Sequence, residues 1–173
     1  MKYAHYDETN GKLLGWYDDN IHSTIPTPNT EVSDKNWKQA ISINANFIDE
    51  NGVLSKKDFR TLEQLKASKL RKLEASYNNS TQQNIDYLDT VFQADKASQD
   101  LIASNLSVGS VPDGFYWQDI DNEKVPMSYE DLQGLASAIQ TRGLMNFGKL
   151  QELKALVKEA TTVEELEEIL WEE

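Results

Sequence analysis

"FYWQDIDNEKVPMSYEDLQG", residues 115–134, decides how the second half of this chain is read. Three aromatics stand in a row, carboxylates follow, and a proline precedes what reads as a helix start. Asp119, Asp121, Glu123 and Glu130 fall at positions 1, 3, 5 and 12 of a calcium-loop spacing. Position 6 of such a loop needs glycine for its sharp turn, and here it is Lys124. The stretch therefore reads as a hairpin near 115–127, with "FYWQDI" and "KVPMS" as strands and "DNEK" as the turn. Asp and Asn favour such turns because their side chains bond nearby backbone. Alternation puts Phe115 and Trp117 on one face, toward a core, and Tyr116 on the other. The competing reading is that some of these rings grip a sugar or a partner protein.

Ser128 and Asp131 then have the spacing of a capping box. A long helix follows, with Leu132, Leu135, Ile139, Phe147, Leu150, Leu153 and Val157 as its inward stripe. Gly143 and Gly148 interrupt it, each at a cost of about 1 kcal/mol against alanine. They imply either close packing or a kink. Thr162 and Glu165 form a second box, ahead of a terminal helix with Val163, Leu166, Ile169 and Leu170 on its apolar side.

Toward the N-terminus, "KYAHY" and "KLLGWY" flank Asn10 and Gly11 and predict a hairpin over 2–17. "DDNIHSTIPTPNTEVS" predicts an extended surface loop, because Pro26 and Pro28 donate no ladder hydrogen bonds. Ser33 reads as an N-cap for a short helix with Trp37 and Ile41 on one face. Asn51 and Gly52 turn a second hairpin. From Lys56 the composition becomes charged and amphipathic. Phe59, Leu62, Leu65, Leu70, Leu73 and Tyr77 mark a helical stripe that "NNST" ends. Residues 84–94 fit either a helix or a short strand. Asp95 caps a helix running to about Leu106, with Leu101 and Ile102 inward. The expected fold class is α+β: a small β-rich lobe over 1–55 and a helix-rich domain with one hairpin over 56–173.

Composition narrows the function. The formal net charge of the 173 residues is −12, which opposes a general grip on nucleic-acid phosphates or on anionic membranes. The chain contains no cysteine, so disulfides, thiolate catalysis and cysteine-based zinc sites are out. "MKYAHYDETNGK" has no apolar signal core, and no run reaches the length of a membrane span. His5 and His22 lack a nucleophile-elbow context, and HExxH, Walker A and GxGxxG patterns do not occur. Arg60, Lys66, Lys69, Arg71 and Lys72 spread round a helix. The terminal Glu159, Glu164, Glu165, Glu167, Glu168, Glu172 and Glu173 read as a solvated face. The reading calls for no cofactor and no metal. Trp16, Tyr17 and Trp37 crowd a short segment with little interior, so they, with Tyr116, are the candidate partner-binding residues.

Three segments carry a family resemblance: "VFQADKASQDLIASNL" (91–106), "FYWQDIDNEKVPMSYEDLQGLASAI" (115–139) and "LKALVKEATTVEELEEILW" (153–171). Together they resemble a domain of unknown function that recurs in small bacteriophage tail proteins. Its pattern runs F-x-A/T-D-x-x-S-Q, then W-x-x-x-D-N-x-x-V, then a long helix and a "TTxEEL" turn. "IPTPNTEVSDKNWKQAI" (25–41) is similar to the start of tail-fibre assembly chaperones. The resemblance implies a non-enzymatic protein that helps a phage tail-fibre protein fold or trimerise in the host cytoplasm. The alternative it implies is a structural tail, baseplate or fibre-tip component, with host-surface carbohydrate as a possible ligand of the aromatics. It leaves the oligomeric state open and implies no catalytic residues. A glycan hydrolase would need two carboxylates about 5–10 Å apart in a cleft, and nothing in the sequence singles out such a pair.

Overall fold

Alternation in the first residues makes Lys2–Tyr6 (β1) a strand, and β1 is the centre of a three-stranded antiparallel sheet. Its neighbours are Leu13–Asp18 (β2) and Asn29–Val32 (β3), in the order β2-β1-β3. The structure, a computed structural model, describes residues 1–172; Glu173, one of the terminal acids named above, lies outside the described residues. The fold is α+β, in two units, Met1–Phe59 and Arg60–Glu173.

The β1–β2 turn closes on the Asp7 carboxylate, which accepts from the Thr9 backbone N–H at 2.9 Å. Gly11 takes φ +68°, and a Cβ there would stand 2.3 Å from the Ile48 carbonyl oxygen. Both facts require glycine. The predicted loop after β2 needs correction. Its last part, Asn29–Val32, is β3 and pairs along the free side of β1. The prolines stop just short of the ladder, so their missing donors do not disturb it. Register places Lys2, Ala4, Trp16, Asp18, Thr30 and Val32 on one face. Tyr3, His5, Tyr17, Asn29 and Glu31 occupy the other.

Ser33 caps Asp34–Ser42 (α1), accepting from the Asn36 N–H at 3.2 Å. Ala40 is buried and Trp37 half-buried, whereas Ile41 is 47% exposed. The inward pair is thus Trp37 and Ala40, not Trp37 and Ile41. Phe47–Ile48 (β4) and Leu54–Ser55 (β5) form the second hairpin, with Gly52 at φ +78°.

In the second unit, Leu62–Ser80 (α2) begins six residues later than the charge pattern implies. Thr61 and Gln64 make a reciprocal capping box that sets the start. Phe59 falls outside the helix and meets Phe47, ring centroids 6.1 Å apart. Residues 85–92 resolve to strands Ile85–Tyr87 (β6) and Thr90–Phe92 (β7). Leu88 and Asp89 both have positive φ, the geometry of a tight I′ turn built here without glycine. Lys96–Ser107 (α3) is capped by Asp95, whose carboxylate accepts from Ser98 N–H at 2.8 Å. Ile102 is buried, but Leu101, predicted inward, is 58% exposed. Tyr116–Gln118 (β8) and Lys124–Pro126 (β9) pair with Trp117 opposite Val125. Tyr129–Glu159 (α4) and Val163–Glu168 (α5) both carry the predicted capping boxes.

The 31-residue α4 serves two hydrophobic clusters. Leu132, Leu135 and Ile139 join Phe92, Ala94, Ile102 and Met127 in one, with Phe115 and Trp117 packed against it. Leu150 and Val157 join Leu73, Leu166 and Ile169 in the other, with Trp171 packed against that. Phe147, predicted inward, is 50% exposed: it belongs to neither cluster and meets Tyr77 edge-on. Leu170 is likewise outward.

Polar bonds bridge the gap. The Thr81 carbonyl, just past α2, accepts from Gln99 Nε2 of α3 at 2.9 Å and from Arg142 Nη2 of α4 at 3.2 Å. Arg142 Nη1 reaches the Asn84 carbonyl, Gln99 also reaches the Ala94 carbonyl, and Asn146 donates to Ser80 Oγ. Burial pulls the Arg142 pKa below its usual value.

The helix glycines differ in role. A Cβ on Gly134 would stand 1.8 Å from the Tyr87 hydroxyl, while at Gly143 and Gly148 it would meet nothing within 4 Å. Close packing therefore explains Gly134 and neither of the other two. Gly148→Ala should stabilise the unit by about 1 kcal/mol, from helix propensity alone. Gly134→Ala should destabilise it by about 1 kcal/mol net, because the clash outweighs that gain. In a Tyr87→Ala background the sign of the Gly134 change should reverse. Urea unfolding of the four variants checks all three statements.

Candidate interaction site

The four candidate aromatics do not converge. Trp16 and Tyr17 are consecutive in β2, so they point to opposite faces of the sheet. Trp16 lies on the Ala4 face, which also carries Lys2. Trp37 of α1 sits there with the Lys2 Nζ 4.9 Å from its ring centroid. Tyr116 belongs to the other unit, where it is 42% exposed with Lys124 Nζ 4.5 Å from its ring. Trp16, Tyr17 and Trp37 are each half-buried. They are neither sealed inside the unit nor bare.

Two residues that the sequence did not single out organise this face. Lys2 pairs with the Asp18 carboxylate across the β1–β2 ladder and lies over Trp37. One ammonium thus ties both strands to the helix through a charge-assisted hydrogen bond and a cation–π contact. Asp18 also accepts from the Asn20 backbone N–H at 3.0 Å and from its side chain at 2.9 Å. The Lys2 bond, then these amides, hold the Asp18 pKa well below the usual carboxylate range. The same bond raises the Lys2 pKa.

Tyr17 occupies the opposite face with both histidines of the chain. His5 meets it edge-on at 6.1 Å and His22 at 5.1 Å, centroid to centroid. His5 Nδ1 lies 2.8 Å from the Pro28 carbonyl, which can only accept, so that nitrogen carries the proton. Tyr3 donates to Glu31 at 3.5 Å on the same face. The outer edge of β3 has no neighbouring strand among the described residues. An aromatic face on a sheet with an open strand edge suits contact with another polypeptide.

A polar hollow of about 860 Å³ lies elsewhere in this unit, between the turns at 8–11 and 49–52. Asp49 lines it, but its Oδ1 accepts from the Asn51 and Val53 N–H groups and serves the turn. Among the described residues no three His, Asp or Glu side chains are grouped to hold a metal ion. In the opening stretch Asp119 plays the same turn role, accepting from Asp121 and Glu123 N–H at 2.9 Å each. No described helix is long and apolar enough to cross a membrane.

The motif residues of the second half have structural work. Phe92 and Ala94 are fully buried, Asp95 caps α3, and Gln99 bonds the Thr81 carbonyl. Trp117 faces Val125 across the hairpin, and Asn122 turns it at φ +64°. Thr162 and Glu165 cap α5, and Leu166 is buried. The family model described as "Domain of unknown function (DUF4376)" matches residues 64–170. The chain belongs to this family. The DUF4376 match runs from the first turns of α2 to just past α5, so it spans nearly all of the second unit and none of the first. No curated protein and no solved structure matches the chain.

The Asp18 shift sets a pH dependence. A depressed carboxylate pKa contributes stability above its unfolded value of about 4, lost as pH falls toward the lowered one. Wild type should therefore melt above Asp18→Asn at about pH 5, and the gap should narrow progressively as pH falls from about 4 to about 2. NMR signals of Ala4 and Trp16, followed with temperature, report the unit directly.

Proposed function

We propose that this chain is a bacteriophage tail-fibre assembly chaperone. It binds the fibre protein in the host cytoplasm and aids its folding or trimerisation. The observation that carries the reading is the half-covered Tyr17 face of the first unit, on a sheet whose β3 edge has no neighbouring strand among the described residues. Unfinished fibre chains expose strand edges and apolar side chains that aggregate unless covered. A short sheet with an open edge at β3 can take up such a strand by main-chain hydrogen bonds, while the Tyr17 ring, across β1 from that edge, is available to another part of the same fibre chain. The segment that resembles tail-fibre chaperones, residues 25–41, contains β3 and most of α1. The reading assigns the chain no chemical step and no cofactor. The DUF4376 domain supplies a rigid body in this account, its motif residues being used for folding.

A structural place in the tail, baseplate or fibre tip is the second reading. It draws on Tyr116, exposed beside Lys124 in the second unit. Protein composition of purified particles separates the two, since a structural component is present in fixed proportion to the fibre.

Coexpression with the fibre protein encoded beside it should raise soluble, trimeric fibre severalfold. Tyr17→Ala should remove most of that gain while the sheet stays folded, judged by the Ala4 signal. Equal trimer yield with and without the chain contradicts the proposal.

A further inference from the structure

The end of the second unit carries a groove of a different character. It measures about 490 Å³ and lies along the last turns of α4 and the segment that follows α5. Its floor includes Leu153, Leu156 and Leu170. Leu156 is 50% and Leu170 60% exposed, although the cluster beneath them is closed. Glu159, Glu168 and Glu172 stand along it. Glu165 lines it too, but its carboxylate caps α5 through the Thr161 and Thr162 N–H groups.

The lysines of this corner do not neutralise the rim. Lys66 donates to the Lys158 carbonyl at 3.0 Å and Lys69 to the Ile169 carbonyl at 2.8 Å. Lys149 donates to the Glu172 carbonyl and lies over the Trp171 ring. Lys154 pairs with Glu74. Among the described residues, Glu159, Glu168 and Glu172 form no side-chain ion pair. Lysines on main-chain carbonyls hold the corner together, and the carboxylates face outward.

We infer that this groove binds a basic amphipathic helix of a partner protein. Leucine-type anchors on the helix would fill the floor, and flanking Lys or Arg would meet the glutamates. Charge selects this occupant. A second copy would bring the same acidic rim and a net charge of −12, which repels. An anionic membrane is excluded by the same sign. The inference is independent of the fibre reading, which uses the other unit.

The test uses the full chain and a synthetic leucine–lysine helix of about five turns, with leucines at i, i+3, i+4 and i+7. A leucine–glutamate peptide of the same pattern is the control. NMR titration of the wild type with the lysine peptide should move Leu156, Leu170 and Trp171. The glutamate peptide should move none of them. The double change Glu159→Lys/Glu168→Lys should weaken binding about tenfold or more, a loss of 1.4 kcal/mol. Glu8→Lys/Glu50→Lys alters net charge equally and should leave affinity within about twofold. Leu156→Ser should also weaken binding, with its thermal melt as the folding control. Equal weakening by the two doubles would reduce the effect to net charge and overturn the inference. So would equal binding of the glutamate peptide, or shifts centred on Leu144 and Phe147. Self-association abolished by Leu156→Ser would assign the groove to a second copy instead and equally refute it.

Discussion

The carbonyl oxygen of Thr81 takes hydrogen bonds from two helices at the boundary between the two hydrophobic clusters. It ends α2, the helix that carries Leu73 into one hydrophobic cluster. It accepts from Gln99, whose helix carries Ile102 into the other, and from Arg142 at the middle of α4. Helix ends leave carbonyls without partners, and an unsatisfied buried group costs about 1–3 kcal/mol. Here that need is met by side chains from two other helices, so the two clusters share a boundary made of hydrogen bonds. Without these bonds α4 would still reach both clusters, with the Asn146–Ser80 bond and the Tyr77–Phe147 ring contact left along the boundary. Gly143 and Gly148 lie near that point, and both are poor helix formers.

Local chemistry in the chain foretells much of this and misses the rest for identifiable reasons. The Asn-Gly turns, the Ser128 and Thr162 boxes and the Asp95 cap are short-range signals, and each element stands where its signal lies. β3 was hidden because its pairing with β1 is long-range and two prolines precede it. The β6–β7 hairpin was ambiguous because Leu88 and Asp89 make its turn without glycine. Leu101 and Phe147 fit helical periodicity but face outward. A period identifies a possible face, and only a neighbour decides whether it is covered. The partner-binding candidates suffered most. Trp16 and Tyr17 look like a pair in the sequence, yet a strand sends consecutive side chains apart. Lys2 and Asp18, which fasten Trp37, gave no signal, because charges sixteen residues apart meet only through sheet register.

The two units differ along the same line. In the DUF4376 domain the motif residues are caps, turn formers, core side chains and the Gln99 bridge. A sequence pattern made of such residues records what the fold needs, and under the proposed function contact with a partner would fall to surfaces the pattern does not specify. The first unit lies outside the family match and holds the Tyr17 face. The groove beside α5 is a second surface, inside the family match.

The central claim is that Gln99 and Arg142, meeting at Thr81, make the second unit cooperative. Native-state hydrogen exchange tests it most directly, comparing the amides of Leu73 and Leu135 in wild type and Gln99→Leu. The account predicts one shared opening free energy in the wild type and two distinct values in the variant. Distinct values already present in the wild type, or one shared value in both proteins, would contradict it.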